Sequence, residues 1–228
     1  MGQHVLPGNP PIPLSLRRSA RARRISLRVS SLDGRVTLTL PQKVPEREAL
    51  AFAAEKEEWL RGHLSRNAAP EVVDLGMRLP VEGVPRLICM GMGRRVRLSG
   101  ERLEVPGDRV GPRLGAWAKE LARDRLSEAC DRHAAALGRP YARLTLRDTR
   151  SRWGSCTAQG ALMFSWRLIM APPEVLDYVA AHEVAHLEEM NHSSAFWDVV
   201  TRLYGDHRPA RRWLKTRGSV LHRYRFDL

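Results

Sequence analysis

Apolar and polar residues alternate along the chain with two different periods. Ile25, Leu27 and Val29 alternate with polar neighbours, as do Val36, Leu38 and Leu40, with Asp33-Gly34 between the two runs. Period two around an Asp-Gly pair predicts a β-hairpin. Pro45-Glu46 then opens a helix predicted to reach about residue 64, burying Leu50, Phe52, Ala53, Trp59 and Leu60. Residues 72–106 return to period two and predict short strands at 79–81, 84–88, 96–98 and 103–105. After Pro112 the period lengthens. Leu114, Ala118, Ala122, Leu126, Cys130, His133 and Leu137 keep helical spacing, and Gly138 supplies the stop. His133 on that stripe reads as a core histidine. A strand over 141–146 leads towards Trp153.

A last strong helix begins at Pro172-Pro173-Glu174, with proline in the first turn and an acid at its positive end. Val175, Val179, His182 and His186 form one stripe, and Leu176, Ala180, Val184 and Leu187 another. Two apolar stripes predict a mostly buried helix of roughly 15–18 residues. The loop residues at 107–111 separate a β-rich front from this helical back half. Pro7, Pro10, Pro11 and Pro13 oppose regular structure at the start, so residues 1–17 read as a flexible proline-rich leader. The expectation is an α+β chain: the leader, a β-rich N-terminal lobe with one helix over 18–110, and a mostly helical second domain over 111–228.

The buried helix carries the chemistry. In His182-Glu183-Val184-Ala185-His186 the two imidazoles are four apart and share a face. Neutral imidazoles on one face suit a single Zn²⁺, and the adjoining carboxylate can act on water instead of on the metal. A satisfied pair of core histidines is the bland alternative, but it leaves a buried Glu183 without a partner. Catalytic zinc usually takes three protein ligands. No glutamate follows Glu189, which excludes a downstream Glu as the third; His192, His207 and the downstream aspartates remain, with His192 nearest. For His192 to return to the metal the chain must turn, and Asn191 is the predicted hinge. Ser193 or Ser194 then caps a helix with Phe196, Trp197, Val200 and Leu203 on its apolar side. Metzincins share this histidine spacing but place a glycine where Glu189 stands and a methionine further on; no Met follows Met190.

Arg152-Trp153-Gly154-Ser155-Cys156, the apolar run 162–166, residues 172–178, the 182–186 motif and Asn191-His192-Ser193 with Phe196-Trp197 together resemble the YgjP-like metallopeptidases, relatives of the SprT-like and WLM zinc peptidases. The match is close over about the last 90 residues, and the front half fits as a β-rich extension. The resemblance implies a small zincin-like metallopeptidase domain whose motif helix is the active-site helix. It implies one catalytic Zn²⁺ on His182, His186 and His192, with Glu183 as general base towards a metal-activated water in peptide-bond hydrolysis. It leaves natural substrates undefined. The acidic Glu188-Glu189-Met190 departs from the expected pattern at the rim of the site. Arg152, Asn191 and Tyr204 are candidate oxyanion donors, and Trp153-Gly154-Ser155 a candidate strand edge for an extended substrate, with core packing the competing account of Trp153.

Composition adds bounds. No apolar run reaches 18 residues, so no membrane span is expected. Three widely spaced cysteines, Cys89, Cys130 and Cys156, suggest neither a disulfide framework nor a structural metal site, and fit a reducing cytoplasm. Cys156 near the site reads as a small packed side chain. The net charge is +13, and 34 of 38 basic residues are arginine. Arg208, Arg211, Arg212, Lys215, Arg217, Arg223 and Arg225, interleaved with Trp213, Tyr224 and Phe226, form the densest basic–aromatic stretch and a candidate nucleic-acid contact. The alternative to a peptidase acting on a protein or peptide is therefore a basic nucleic-acid-associated zinc protein with weak or no peptidase activity. Oligomeric state is not assigned.

Overall fold

The computed structural model describes residues 3–30, 34–64 and 70–227. These form two compact units, Met1–Pro70 and Glu71–Leu228.

The first unit holds strands β1 (Gln3–Leu6), β2 (Ile12–Ser19), β3 (Ser26–Val29) and β4 (Val36–Pro41), then helices α1 (Glu46–Glu55) and α2 (Glu57–Leu64). The sheet order is β1-β2-β4-β3, with β2 parallel to β4 and the other pairs antiparallel. The expected hairpin is present as β3 and β4, although Asp33 of its turn lies outside the described residues. The leader reading is corrected. Ile12, Leu14 and Leu16 alternate inward and are buried beside Leu38 and Leu40, so burial outweighs the prolines. Pro7, Pro10 and Pro11 fall between β1 and β2, and pairing with β4 begins at Leu14, just past Pro13. The single expected helix is two, separated at Lys56.

The second unit opens with β5 (Glu71–Val72) and a four-stranded sheet of β6 (Arg78–Val81), β7 (Val84–Gly91), β8 (Arg97–Ser99) and β9 (Arg102–Pro106), ordered β6-β7-β9-β8. Helix α3 (Val110–Leu137) follows and ends on Gly138, whose φ of 72° is the left-handed cap glycine accepts. A three-stranded sheet comes next: β10 (Arg143–Arg147), β11 (Gly154–Cys156) and β12 (Ala161–Ser165), ordered β10-β12-β11. A 3-10 turn (Trp166–Met170) leads into α4 (Pro173–Ala185). Helices α5 (Ser194–Tyr204) and α6 (Arg208–Arg217), a second 3-10 turn (Gly218–His222) and β13 (Tyr224–Arg225) complete the chain.

The boundary expected at 107–111 is not a division of the fold. Leu79, Val81, Ile88, Leu103 and Val105 share one core with Leu114 and Leu126 of α3 and Val179 of α4. The two ends of this unit join as well, since β13 pairs in parallel with β5. Buried Arg167 ties the same end down: it donates to both carboxylate oxygens of Asp148 at 2.6 and 3.0 Å and to the carbonyls of Leu221 and Tyr224, each at 2.9 Å. Around α4 pack α3, α5, α6 and β11. Enclosure on several sides explains why it carries apolar residues nearly all round. Among the described residues no helix is long and apolar enough to cross a membrane.

Candidate metal centre

Helix α4 ends at Ala185, with His186 as its C-cap in right-handed geometry. It is 13 residues long, a little shorter than expected, because the turn begins at His186 itself. The amides of Glu188 and Glu189 both donate to the carbonyl of Ala185 at 3.0 Å, reversing the chain there. Asn191 is therefore not the predicted left-handed hinge; among the described residues only Glu82 and Arg109 carry that conformation without being glycine. Ser193 caps α5, its hydroxyl oxygen accepting from the Phe196 amide at 3.4 Å. That start turns α5 back across the end of α4.

The reversal brings His192 to the motif. One ring nitrogen each of His182, His186 and His192 lies within 4.8 Å of the others. Nε2 of His182 and Nε2 of His192 are 3.1 Å apart. Nδ1 of His186 donates to the Glu189 carbonyl at 2.9 Å, which leaves its Nε2 with a free lone pair. Burial, with His186 and His192 nearby, pushes His182 down to about 3, and burial also lowers His186, so both rings are neutral donors at neutral pH. Tetrahedral coordination at ~2.0–2.1 Å sets ligand nitrogens about 3.3 Å apart, so small side-chain adjustments suffice to close this set on one ion. The donor chemistry and spacing fit zinc.

Phe196, fully buried, forms the floor under all three rings, its centroid 4.9, 4.5 and 4.7 Å from those of His182, His186 and His192. Trp197 extends that floor beneath His182 and His192. His207, the other histidine considered as a ligand, stands outside the cluster and stacks on Trp197 at 4.8 Å.

Glu183 is 5% exposed. Burial pushes its carboxyl up to about 8, against a weaker pull from the Arg152 guanidinium. Gly154 packs directly on it: a Cβ there falls 2.5 Å from Oε1 and 2.6 Å from Cγ. A cleft of about 410 Å³ opens over these groups, lined by Ser151, Arg152, Gly154, Ser155, Cys156, His182, Glu183, His186, Met190 and His192.

Of the expected substrate-side residues, Arg152, Gly154 and Ser155 line that cleft. The other three do not. Trp153 faces Gly218 and His222, with ring centroids 5.1 Å apart in the latter pair. Tyr204 donates its hydroxyl to the Glu174 carbonyl at 2.9 Å, at the opposite end of α4 from His186. Asn191 is exposed outside the lining. Ser151, Cys156 and Met190 join the lining without having been singled out for it. Burial, then the Glu183 charge, pushes the Cys156 thiol up to about 11, which keeps it protonated at neutral pH. The acidic rim is engaged: Glu188 pairs with Arg202 at 3.2 Å and Arg139 at 3.9 Å.

The basic tail is largely satisfied within the fold. Arg208 pairs with Asp206, Arg223 with Glu71 and Arg225 with Asp227, while Arg211 lies over Trp197 at 4.7 Å. Tyr224 and Phe226 are buried and Trp213 is packed on the core, so these rings are not presented for stacking.

The profile of the YgjP-like metallopeptidase domain matches residues 23–217. The chain belongs to that family, and its architecture is a mixed α+β one. Among solved structures it is similar to the crystal structure of the metallopeptidase zymogen of Pyrococcus abyssi abylysin, at 20% identity over 41% of this chain and 95% of that one, with a TM-score of 0.36. No curated protein matches the chain.

Proposed function

We propose that the protein is a zinc metallopeptidase of zincin-like fold, with α4 as its active-site helix, acting on polypeptides in the cytoplasm. The observation that carries this reading is the convergence of the His182, His186 and His192 nitrogens beside the buried carboxyl of Glu183. Three ligands with an adjacent acid suit a catalytic site, whereas a structural zinc site takes four ligands and needs no base.

His182, His186 and His192 hold the ion. Bound there, zinc supplies a Lewis acid that acidifies water and polarises a carbonyl oxygen. Glu183 accepts a proton from water in the cleft and returns it to the departing amine. Gly154 leaves that carboxylate its place. Arg152, on the cleft wall, offers donors to the oxyanion that develops. The substrate chain is held by β11, the edge strand of its sheet. Trp153 accepts from the Ser165 amide and Thr157 donates to the Ala161 carbonyl, so 153, 155 and 157 bond towards β12. The main-chain groups of Gly154 and Cys156 therefore point outward, free to pair with an extended peptide.

Purified protein is expected to bind one zinc per chain and to cut an unfolded polypeptide such as reduced casein. Cleavage stops on chelation and returns with zinc. A protein that binds no zinc, or that cleaves equally well after chelation, contradicts the reading.

A further inference from the structure

We propose that the open face of the β1–β4 sheet binds the phosphodiester backbone of nucleic acid. One face of that sheet is buried by Ile12, Leu14, Leu16, Val36, Leu38 and Leu40, on which Ala49, Ala53 and Leu60 of the two helices pack. Alternation turns the intervening residues to the other face. The register aligns Arg17, Thr39 and Ser26 in one row across β2, β4 and β3, and Ser15, Thr37 and Arg28 in the next. Each row thus carries one arginine and two hydroxyls. The two arginines sit diagonally, about 12 Å apart from strand spacing and rise, so they do not compete for one phosphate. The β2–β3 connection, residues 20–25, adds exposed Arg21, Arg23 and Arg24.

None of these five arginines has a carboxylate partner among the described residues. Arg18, between them in sequence, is spent on the carbonyls of Gln42 and Val44 and on Glu46. The acids of the unit are Glu46, Glu48, Glu55, Glu57 and Glu58, all on the helices that cover the buried face, and Asp33, outside the described residues. Positive charge is therefore concentrated on the side left open. Arginines with serine and threonine hydroxyls are the groups that contact phosphate oxygens. The unit's Phe and Trp rings, Phe52 and Trp59, lie on α1 and α2, as does His63, and His4 pairs opposite inward-facing Leu14, so among the described residues the face holds no platform for stacking bases. Those features fit backbone binding without sequence preference, and a polyphosphodiester better than a carboxylate-bearing partner. The proposal does not depend on the peptidase reading.

The test is fluorescence anisotropy of the full chain with a labelled 20-base-pair DNA duplex and a 20-nucleotide RNA between 50 and 200 mM salt. Five phosphate contacts predict a log–log salt slope of about −4.5 on duplex DNA. Replacing Arg17, Arg21, Arg23, Arg24 and Arg28 by Gln is expected to weaken binding at least 100-fold and flatten the slope, with an unchanged thermal melt. Arg212→Gln/Lys215→Gln/Arg217→Gln on α6 is expected to stay within about twofold of wild type. Binding of either polymer with this pattern supports the assignment, and the tighter one names the partner. Three results overturn it: no salt-dependent binding, an equal loss in both variants, or tighter binding of poly-L-glutamate than of both nucleic acids.

Discussion

Gly154 and Glu183 are in contact so close that no side chain fits between them: a Cβ at 154 falls 2.5 Å from Oε1 of Glu183. The relationship ties a substrate-side strand to the carboxylate proposed as the base. Gly154→Ala must displace the carboxyl, the strand, or both. Misplacement of a catalytic group by about 1 Å costs on the order of 100-fold in rate. Gly154→Ala is expected to keep its zinc and lose about that much cleavage, measured side by side on one substrate. Unaltered cleavage separates Gly154 from the chemistry.

Phe196 is the common floor for three histidine rings, and its effect should appear in metal affinity before stability. Phe196→Leu retains apolar volume while removing the ring that stacks on His186 and meets His182 and His192 edge-to-face. Loss of such support typically lowers metal affinity about 10–100-fold. Competition against a chromogenic zinc chelator measures this directly, and wild-type affinity in the Leu variant rules the role out.

Much of this site was legible in the sequence, and the reason is periodicity. His182, Glu183 and His186 lie on one helix, where spacing fixes the face. His192 is reachable as the nearest remaining donor, since no glutamate follows Glu189 and His207 and the aspartates lie further on. The loop between was not legible in detail: the hinge expected at Asn191 is a turn starting at His186, since the reversal is made by amides stacking on the Ala185 carbonyl. Trp153 is expected at the cleft as part of a strand edge and Tyr204 as an oxyanion donor, yet a strand alternates faces and a helix rotates away. Gly154 and Cys156 face Glu183 while Trp153 points to Gly218. The contact of Gly154 with Glu183 joins residues 29 positions apart and leaves no local signal. The front half departs from expectation for a related reason. Prolines suggested an unstructured leader, but they fall in the turn and at the start of β2, and Ile12, Leu14 and Leu16 still bury one face.

Glu183 also predicts a pH dependence of stability in the metal-free protein. Its folded carboxyl titrates at about 8, above the ordinary value of 4.5. Between those values the folded state holds a proton that the unfolded state has released. Wild-type stability from this group is thus full below about pH 4.5 and is lost as pH rises through about 8. Glu183→Gln has no such charge to bury. In chelator, urea denaturation is expected to show the Gln variant matching wild type near pH 4.5 and exceeding it by a few kcal/mol near pH 9. A constant difference across that range rejects the buried-acid account.

Arg167 offers a test of how the chain end is held. Arg167→Met removes the donors to Asp148 and leaves the Leu221 and Tyr224 carbonyls without them. The expected loss is about 3 kcal/mol in urea denaturation. Faster proteolytic trimming beyond residue 217 should accompany it. Loss of stability without trimming places the effect elsewhere in the core.

The central claim is most directly tested by Glu183→Gln assayed for zinc and cleavage in the same preparation. The account predicts one zinc per chain in both proteins, with cleavage of unfolded polypeptide present in wild type and abolished in the variant. A Glu183→Gln protein that holds zinc and cleaves at the wild-type rate would contradict it.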